Sequence, residues 1–108
     1  MPEKTQILKF DASRAENHRY AAINEHLYSE LKGEGVILNL NNGKYYGVNQ
    51  VGDRIWKVIQ SPASLQEIQV SLTNEYDIDP EICRREIISF LEQMVNEELI
   101  KVLNINDS

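Results

Sequence analysis

The chain has 108 residues, 42% of them hydrophobic and 26% charged, enough for one modest domain core without disulfides or a structural metal. A formal net charge of −6 argues against nucleic acid or an anionic membrane surface as the main partner. A lone cysteine, Cys83, excludes an internal disulfide and a CxxC site, and no apolar run approaches bilayer-spanning length. With no signal peptide at its start, the chain is expected in the cytoplasm.

In chain order, Met1–Thr5 reads as a frayed terminus and Gln6–Phe10 as a short strand. Ser13 and Glu16 have capping-box spacing, and Tyr20, Ile23, Leu27 and Leu31 then recur at helical intervals. Leu27–Leu31 also alternates and precedes two glycines, so periodicity leaves helix and strand open there. Gly33 and Gly35 flank Glu34 in a turn, and the β-branched run Val36–Leu40 reads as a buried strand. Asn42-Gly43 is a hairpin signal, since both residues tolerate the positive φ of a type I′ turn. Lys44–Val48 is the return strand, with Lys44, Tyr46 and Val48 on one face and Tyr45 and Gly47 on the other. Gly47 points to a bulge or the close approach of another backbone.

Three helical patterns follow. The first, Gln50–Gln60, has Asn49 as N-cap and is stopped by Pro62. The second starts at Ser64 with Glu67 completing a capping box, and buries Leu65, Ile68 and Leu72. The third takes Asp79 as N-cap and Pro80 as its first residue, and runs to about Glu97. It carries two apolar stripes, one of Cys83, Ile87, Phe90 and Met94, the other of Ile88, Leu91 and Val95, a broader arc than one core-facing side requires. Leu99–Leu103 is a short closing strand or extended tail. Strands before helices make an α+β pattern, and a simple meander leaves Lys44–Val48 at an exposed sheet edge.

Catalytic chemistry is hard to find. His18 and His26 are too far apart for a helical metal pair and read as surface residues; Cys83, on an apolar stripe, reads as a buried inert thiol. Glu25, Glu30 and Glu34 read as solvated carboxylates, and no glycine-rich phosphate loop is present. The expectation is a binding module with no cofactor and no metal, not an enzyme. Between residues 64 and 98 only Arg84 and Arg85 oppose nine carboxylates, the wrong sign for a DNA-reading helix in a winged-helix transcription regulator.

Residues 33–60, GEGVILNLNNGKYYGVNQVGDRIWKVIQ, resemble the PqqD-like family of peptide chaperones. The resemblance continues through LQEIQVSLTNEYDIDPEICRREIISFLEQMVNEELIKV at 65–102, with its Pro-Glu helix start and Phe-Leu pair. It covers roughly residues 26–102. It implies a winged-helix-like α+β fold, a three-stranded antiparallel sheet followed by three helices, with Leu27–Leu31 as the first strand against its helical spacing. Residues 1–25 would be an N-terminal extension, either an extra strand and short helix or mobile, 26–103 the peptide-binding domain and 104–108 a tail. Members are RiPP recognition elements, which bind the leader of a ribosomally made precursor peptide and present it to tailoring enzymes. The GKYYGVN and RIW segments look more like the stand-alone proteins of lasso-peptide clusters, whose partners are a leader-cleaving cysteine protease and an ATP-dependent macrolactam synthetase. Service in another maturation pathway, with a radical enzyme or a quinone cofactor, is the alternative.

The resemblance and the exposed edge together point to leader binding by strand addition at 44–48, with the third helix as a wall. The expected site residues are Lys44, Tyr45, Tyr46, Gly47 and Val48 on the strand, and Arg84, Arg85, Ile88, Leu91 and Val95 on the helix. Competing roles are cross-strand packing for one tyrosine, ordinary core for the aliphatics, and pairing of the arginines with Glu81 or Glu92. Ile55, Trp56, Phe90 and Met94 are assigned to the core. A proline at Tyr46 is expected to remove an edge donor and weaken binding.

Overall fold

The computed structural model describes residues 9–104. Its helices start where local chemistry favours starting. Helix α1 (Gln50–Val58) is capped by the Asn49 side chain, which accepts the Gly52 N–H at 2.9 Å. Helix α2 (Leu65–Glu75) opens with a complete capping box: Ser64 Oγ accepts the Glu67 N–H at 3.1 Å and Glu67 Oε1 accepts the Ser64 N–H at 2.9 Å. Helix α3 (Pro80–Asn96) has Pro80 in its first turn, and Asp79 Oδ2 accepts the N–H groups of Glu81 and Ile82 at 3.0 and 3.2 Å. Each contact satisfies amide donors that a helix start leaves unpaired.

Ahead of α1 lies an antiparallel meander of β2 (Leu27–Leu31), β3 (Glu34–Leu38) and β4 (Tyr45–Val48), in the order β2-β3-β4. Leu27–Leu31 is therefore a strand. Its turn to β3 is the two-residue Lys32-Gly33, with φ of 57° and 82°, the type I′ signature. The turn expected at Asn42-Gly43 is built differently. Only Gly43, at φ 75°, takes a positive angle, and the loop is longer. Buried Asn39 holds it: Oδ1 accepts the Asn41 and Asn42 N–H groups at 2.8 and 3.3 Å, and Nδ2 donates to the Glu97 carbonyl at 2.9 Å. A buried amide needs such partners, and satisfying them outweighs the tighter turn.

A second antiparallel sheet, β5-β1-β6, is absent from the expected scheme. It joins β1 (His18–Ala22), β5 (Ala63–Ser64) and β6 (Ile100–Asn104). Strand β1 lies at its centre, so residues 18–22 are part of the packed body. Asn104 closes β6, paired with His18, rather than opening a tail. Tyr20 is fully buried and its hydroxyl donates to the Ala15 carbonyl at 2.7 Å. The preceding 3-10 turn, Ala12–Asn17, is capped by Asp11, whose Oδ1 accepts the Ser13 N–H at 3.1 Å; Ser13 is not the cap. Of the strand expected at Gln6–Phe10, residues 6–8 lie outside the described residues, as do Met1–Thr5, and Lys9 and Phe10 are in no strand. The core gathers Tyr20, Ile37, Ile55, Ile68, Ile87 and Val102 from both sheets and all three helices. Among the described residues no helix is long and apolar enough to cross a membrane.

Candidate functional site

Strand β4 has one strand neighbour, β3; its other margin carries no strand among the described residues. The register decides which backbone groups face that margin. Asn39 N–H donates to the Lys44 carbonyl at 2.9 Å, so 39 and 44 form a bonded pair. Antiparallel pairs alternate between bonded and non-bonded, which makes Ile37/Tyr46 and Gly35/Val48 bonded as well. Tyr45 and Gly47 therefore turn both N–H and C=O outward. The expected outward donor at Tyr46 is corrected: its N–H points in toward Ile37.

The side chains follow the opposite logic. Tyr46 is half-buried and Val48 buried on the inner face, while Tyr45, 71% exposed, and Gly47 lie on the outer face. Lys44 precedes the strand and is exposed. Tyr46 reaches α3, its hydroxyl donating to Glu97 Oε1 at 2.6 Å; that bond is the main cause holding the Tyr46 phenol above its ordinary range. One end of β4 is thus tied to the C-terminal end of α3.

At the other end, β4, α1 and α3 converge on Gly52. A Cβ there would meet Phe90 at 2.8 Å and Val48 at 3.1 Å, so glycine permits the close approach. From this point a groove of about 450 Å³ opens between two walls. One is the start of α1, with Asn49, Val51, Gly52 and Ile55; the other is a row on α3, with Ile82, Arg85, Glu86, Ser89, Phe90 and Gln93. Arg85 is exposed and has no ion-pair partner among the described residues, so its charge is available at the groove rim.

Of the α3 residues expected in the groove, only Arg85 lines it. Arg84 pairs with Glu16 at 2.7 Å, not with Glu81 or Glu92, and faces the 3-10 turn. Leu91 has no exposed surface and is core. Ile88 is half-buried against the core, and Val95 borders a separate hollow with Ile23, Glu98 and Ile100. At 3.6 residues per turn, positions 84, 88 and 95 centre about 125° around the helix from 82, 85, 89 and 93. The second apolar stripe is explained by the N-terminal segment and β6, both of which contact α3. Phe90, expected in the core, is half-buried and lines the groove; Ile55, Trp56 and Met94 are core. The sequence carried a faint sign of the true row: Arg85, Ser89 and Gln93 recur every four residues, flanked by Ile82 and Phe90.

The remaining polar residues brace the fold. His26 is buried, not at the surface: its Nδ1 accepts the Leu40 N–H at 3.1 Å and its Nε2 lies 3.2 Å from the Glu98 carbonyl. His18 is half-buried. Asp53, also buried, accepts from the Tyr28 hydroxyl and pairs with Lys57 at 3.1 Å, and Lys57 meets Glu30 at 2.6 Å. Burial, then the bond to Asp53, raises the Tyr28 phenol well above its usual range. Burial likewise raises the Cys83 thiol, which disfavours a nucleophilic thiolate. No cluster of three or more His, Cys, Asp or Glu suited to a metal ion occurs among the described residues.

No curated protein matches this chain. Among solved structures it is similar to TbiB1, determined in complex with the TbiA(beta) leader peptide, at 29% identity and a TM-score of 0.67, over 74% of this chain and 93% of that one. Residues 34–100, which include β3, β4, all three helices and both walls of the groove, match the model for coenzyme PQQ synthesis protein D. The chain therefore belongs to the PqqD family.

Proposed function

We propose that this chain is a non-catalytic chaperone that holds the leader of a ribosomally made precursor peptide as an added strand on β4 and presents it to tailoring enzymes. The observation that carries this reading is the unpaired margin of β4 beside the α1–α3 groove. The likeness to TbiB1, whose structure contains a leader peptide, supports it. The lasso-type partners, a leader-cleaving cysteine protease and an ATP-dependent macrolactam synthetase, belong to the same proposal.

Magnitudes divide the labour. Tyr45 and Gly47 offer one donor and one acceptor each, and a bond nets about 0.5–1.5 kcal/mol. Four bonds thus give roughly 2–6 kcal/mol, while ordering a flexible peptide costs about 2–5 kcal/mol. The ladder sets register and nearly cancels its own cost. Burial of one or two apolar leader side chains in the groove, at about 1.5–3 kcal/mol each, then decides affinity. Val51, Ile82 and Phe90 would receive them, and Arg85 would hold a leader carboxylate at the rim.

The test is a titration of fluorescein-labelled halves of the short precursor encoded nearest this gene. The leader half binds and the core half does not. Binding of neither half, or saturable binding of a DNA duplex at moderate salt, would overturn the reading. The family's description favours one second reading, service in quinone-cofactor assembly. A radical-enzyme gene beside the precursor, in place of a protease and a macrolactam synthetase, would select it.

A further inference from the structure

Two glycines of the β2-β3-β4 sheet stand in contrasting surroundings. At Gly35 on β3, the space a Cβ would take is filled by the ring and hydroxyl of Tyr28 from the neighbouring strand β2. At Gly47 on β4, a Cβ would meet nothing within 4 Å. Strand β4 lies at the sheet edge, and among the described residues no neighbouring strand supplies a side chain to cover that space. Gly47 does not have the positive φ of Gly33 or Gly43, so backbone geometry does not demand glycine there.

The outer face around Gly47 is uncovered and mostly apolar, with Ser29 and Glu34 the polar side chains on it. Val36, directly across from Gly47 on β3, is 42% exposed, and Tyr45 and Leu31 are 71% and 75% exposed. A shallow hollow of about 590 Å³ runs over Leu31, Val36 and Gly47.

We propose that Gly47 is a specificity-determining residue: it admits a large, flat side chain, an aromatic ring, on the peptide residue that stands opposite it. The inference rests on the strand-addition reading above. Opposed residues in neighbouring strands point to the same face. The peptide residue opposite Gly47 therefore projects onto the outer face, beside the notch. Val36 lies two strand spacings away, roughly 9–10 Å, and only a long or ring-bearing side chain laid over the glycine closes that gap. Aromatic side chains covering a glycine on the next strand are a known stabilising device in sheets, and Tyr28 over Gly35 shows that this sheet already uses it once.

The test begins by panning a random peptide library, displayed on phage, on wild type and on Gly47→Val. The wild-type pool is expected to fix an aromatic residue at one position, and the Gly47→Val pool to lose it. The best wild-type peptide and its ring→Leu variant are then titrated against both proteins, with Gly47→Ala as a milder filling of the notch. On wild type, ring→Leu weakens binding by about tenfold. On Gly47→Val the two peptides bind alike, and Gly47→Ala lies between. Unchanged melting of both variants shows that the fold is kept. An equal effect of ring→Leu on all three proteins, or a wild-type pool without a fixed aromatic, would overturn the proposal while leaving strand addition intact, provided Gly47→Pro still weakens the selected peptides. If Gly47→Pro leaves them unaffected, or no peptide is selected, the edge reading fails and this inference with it.

Discussion

The two three-stranded sheets use similar residues for opposite ends. In β5-β1-β6 the first and last strands of the described residues pair: Tyr20, Ala21 and Ala22 of β1 and Ile100 and Val102 of β6 are all buried. In β2-β3-β4 the outer face shows Leu27, Leu31, Val36 and Tyr45 to solvent. The first sheet completes the core. The second is held to the helices on its inner face by Tyr28, Ile37, Tyr46 and Val48, and its outer face and β4 margin are left unused by the fold. Exposed apolar area of this kind is where partners bind. One sheet therefore carries stability and, under the proposed function, the other carries recognition, and substitutions should separate the two.

The largest separation is expected from apolar truncation. Ile100→Ala, in the closed sheet, should cost about 2–5 kcal/mol by urea denaturation, whereas Leu31→Ala, in the open sheet, should stay within about 0.5 kcal/mol. Equal losses would erase the distinction.

A tyrosine in each sheet gives the next contrast. Burial, with a smaller contribution from Glu16, pushes the Tyr20 phenol up to about 12. The unfolded chain ionises near pH 10, so the folded state's advantage is complete below pH 10 and is lost as pH rises toward 12. The loss is roughly 2–3 kcal/mol, read as a fall in the urea midpoint. Tyr20→Phe should lessen that fall, the remainder coming from the raised Tyr28 and Tyr46 phenols of the other sheet.

Gly52→Ala probes the junction between the two regions. Its new methyl would press on Phe90 and Val48, with an expected cost of about 1–3 kcal/mol and a narrower groove. A variant of wild-type stability with unaltered peptide affinity would show that the close approach is not needed.

The finest contrast lies within β4. Tyr46→Pro removes an inward ladder donor and should destabilise the fold by about 1–3 kcal/mol. Gly47→Pro removes an outward donor, should cost less than about 1 kcal/mol of stability, and should weaken peptide binding. The reverse ranking would mean that the register is wrong.

The features legible in the sequence are those decided by neighbours along the chain. The caps at Asn49, Ser64–Glu67 and Asp79–Pro80 depend on residues within one helical turn, and all three are formed. The alternation at 45–48 likewise declares itself. Strand β1 does not, because its partner β6 lies some 80 residues downstream and the buried run Tyr20-Ala21-Ala22 shows no period. The type I′ turn is hidden at Lys32, a residue type that rarely takes a positive φ, while Asn42-Gly43 gives way to the buried Asn39. The groove wall on α3 was obscured for the same reason. Ser89 and Gln93 look like a solvated face, and the apolar Ile88 and Val95 look like a wall until β6 and the 3-10 turn are in place.

Amide hydrogen exchange along β4, with and without the precursor's leader, tests the central claim most directly. In the free protein, Tyr46 and Val48 should exchange slowly and Tyr45 and Gly47 fast; leader binding should slow Tyr45 and Gly47 and leave the other two unchanged. Slow exchange at Tyr45 and Gly47 before any peptide is added, or fast exchange there in the complex, would contradict the account.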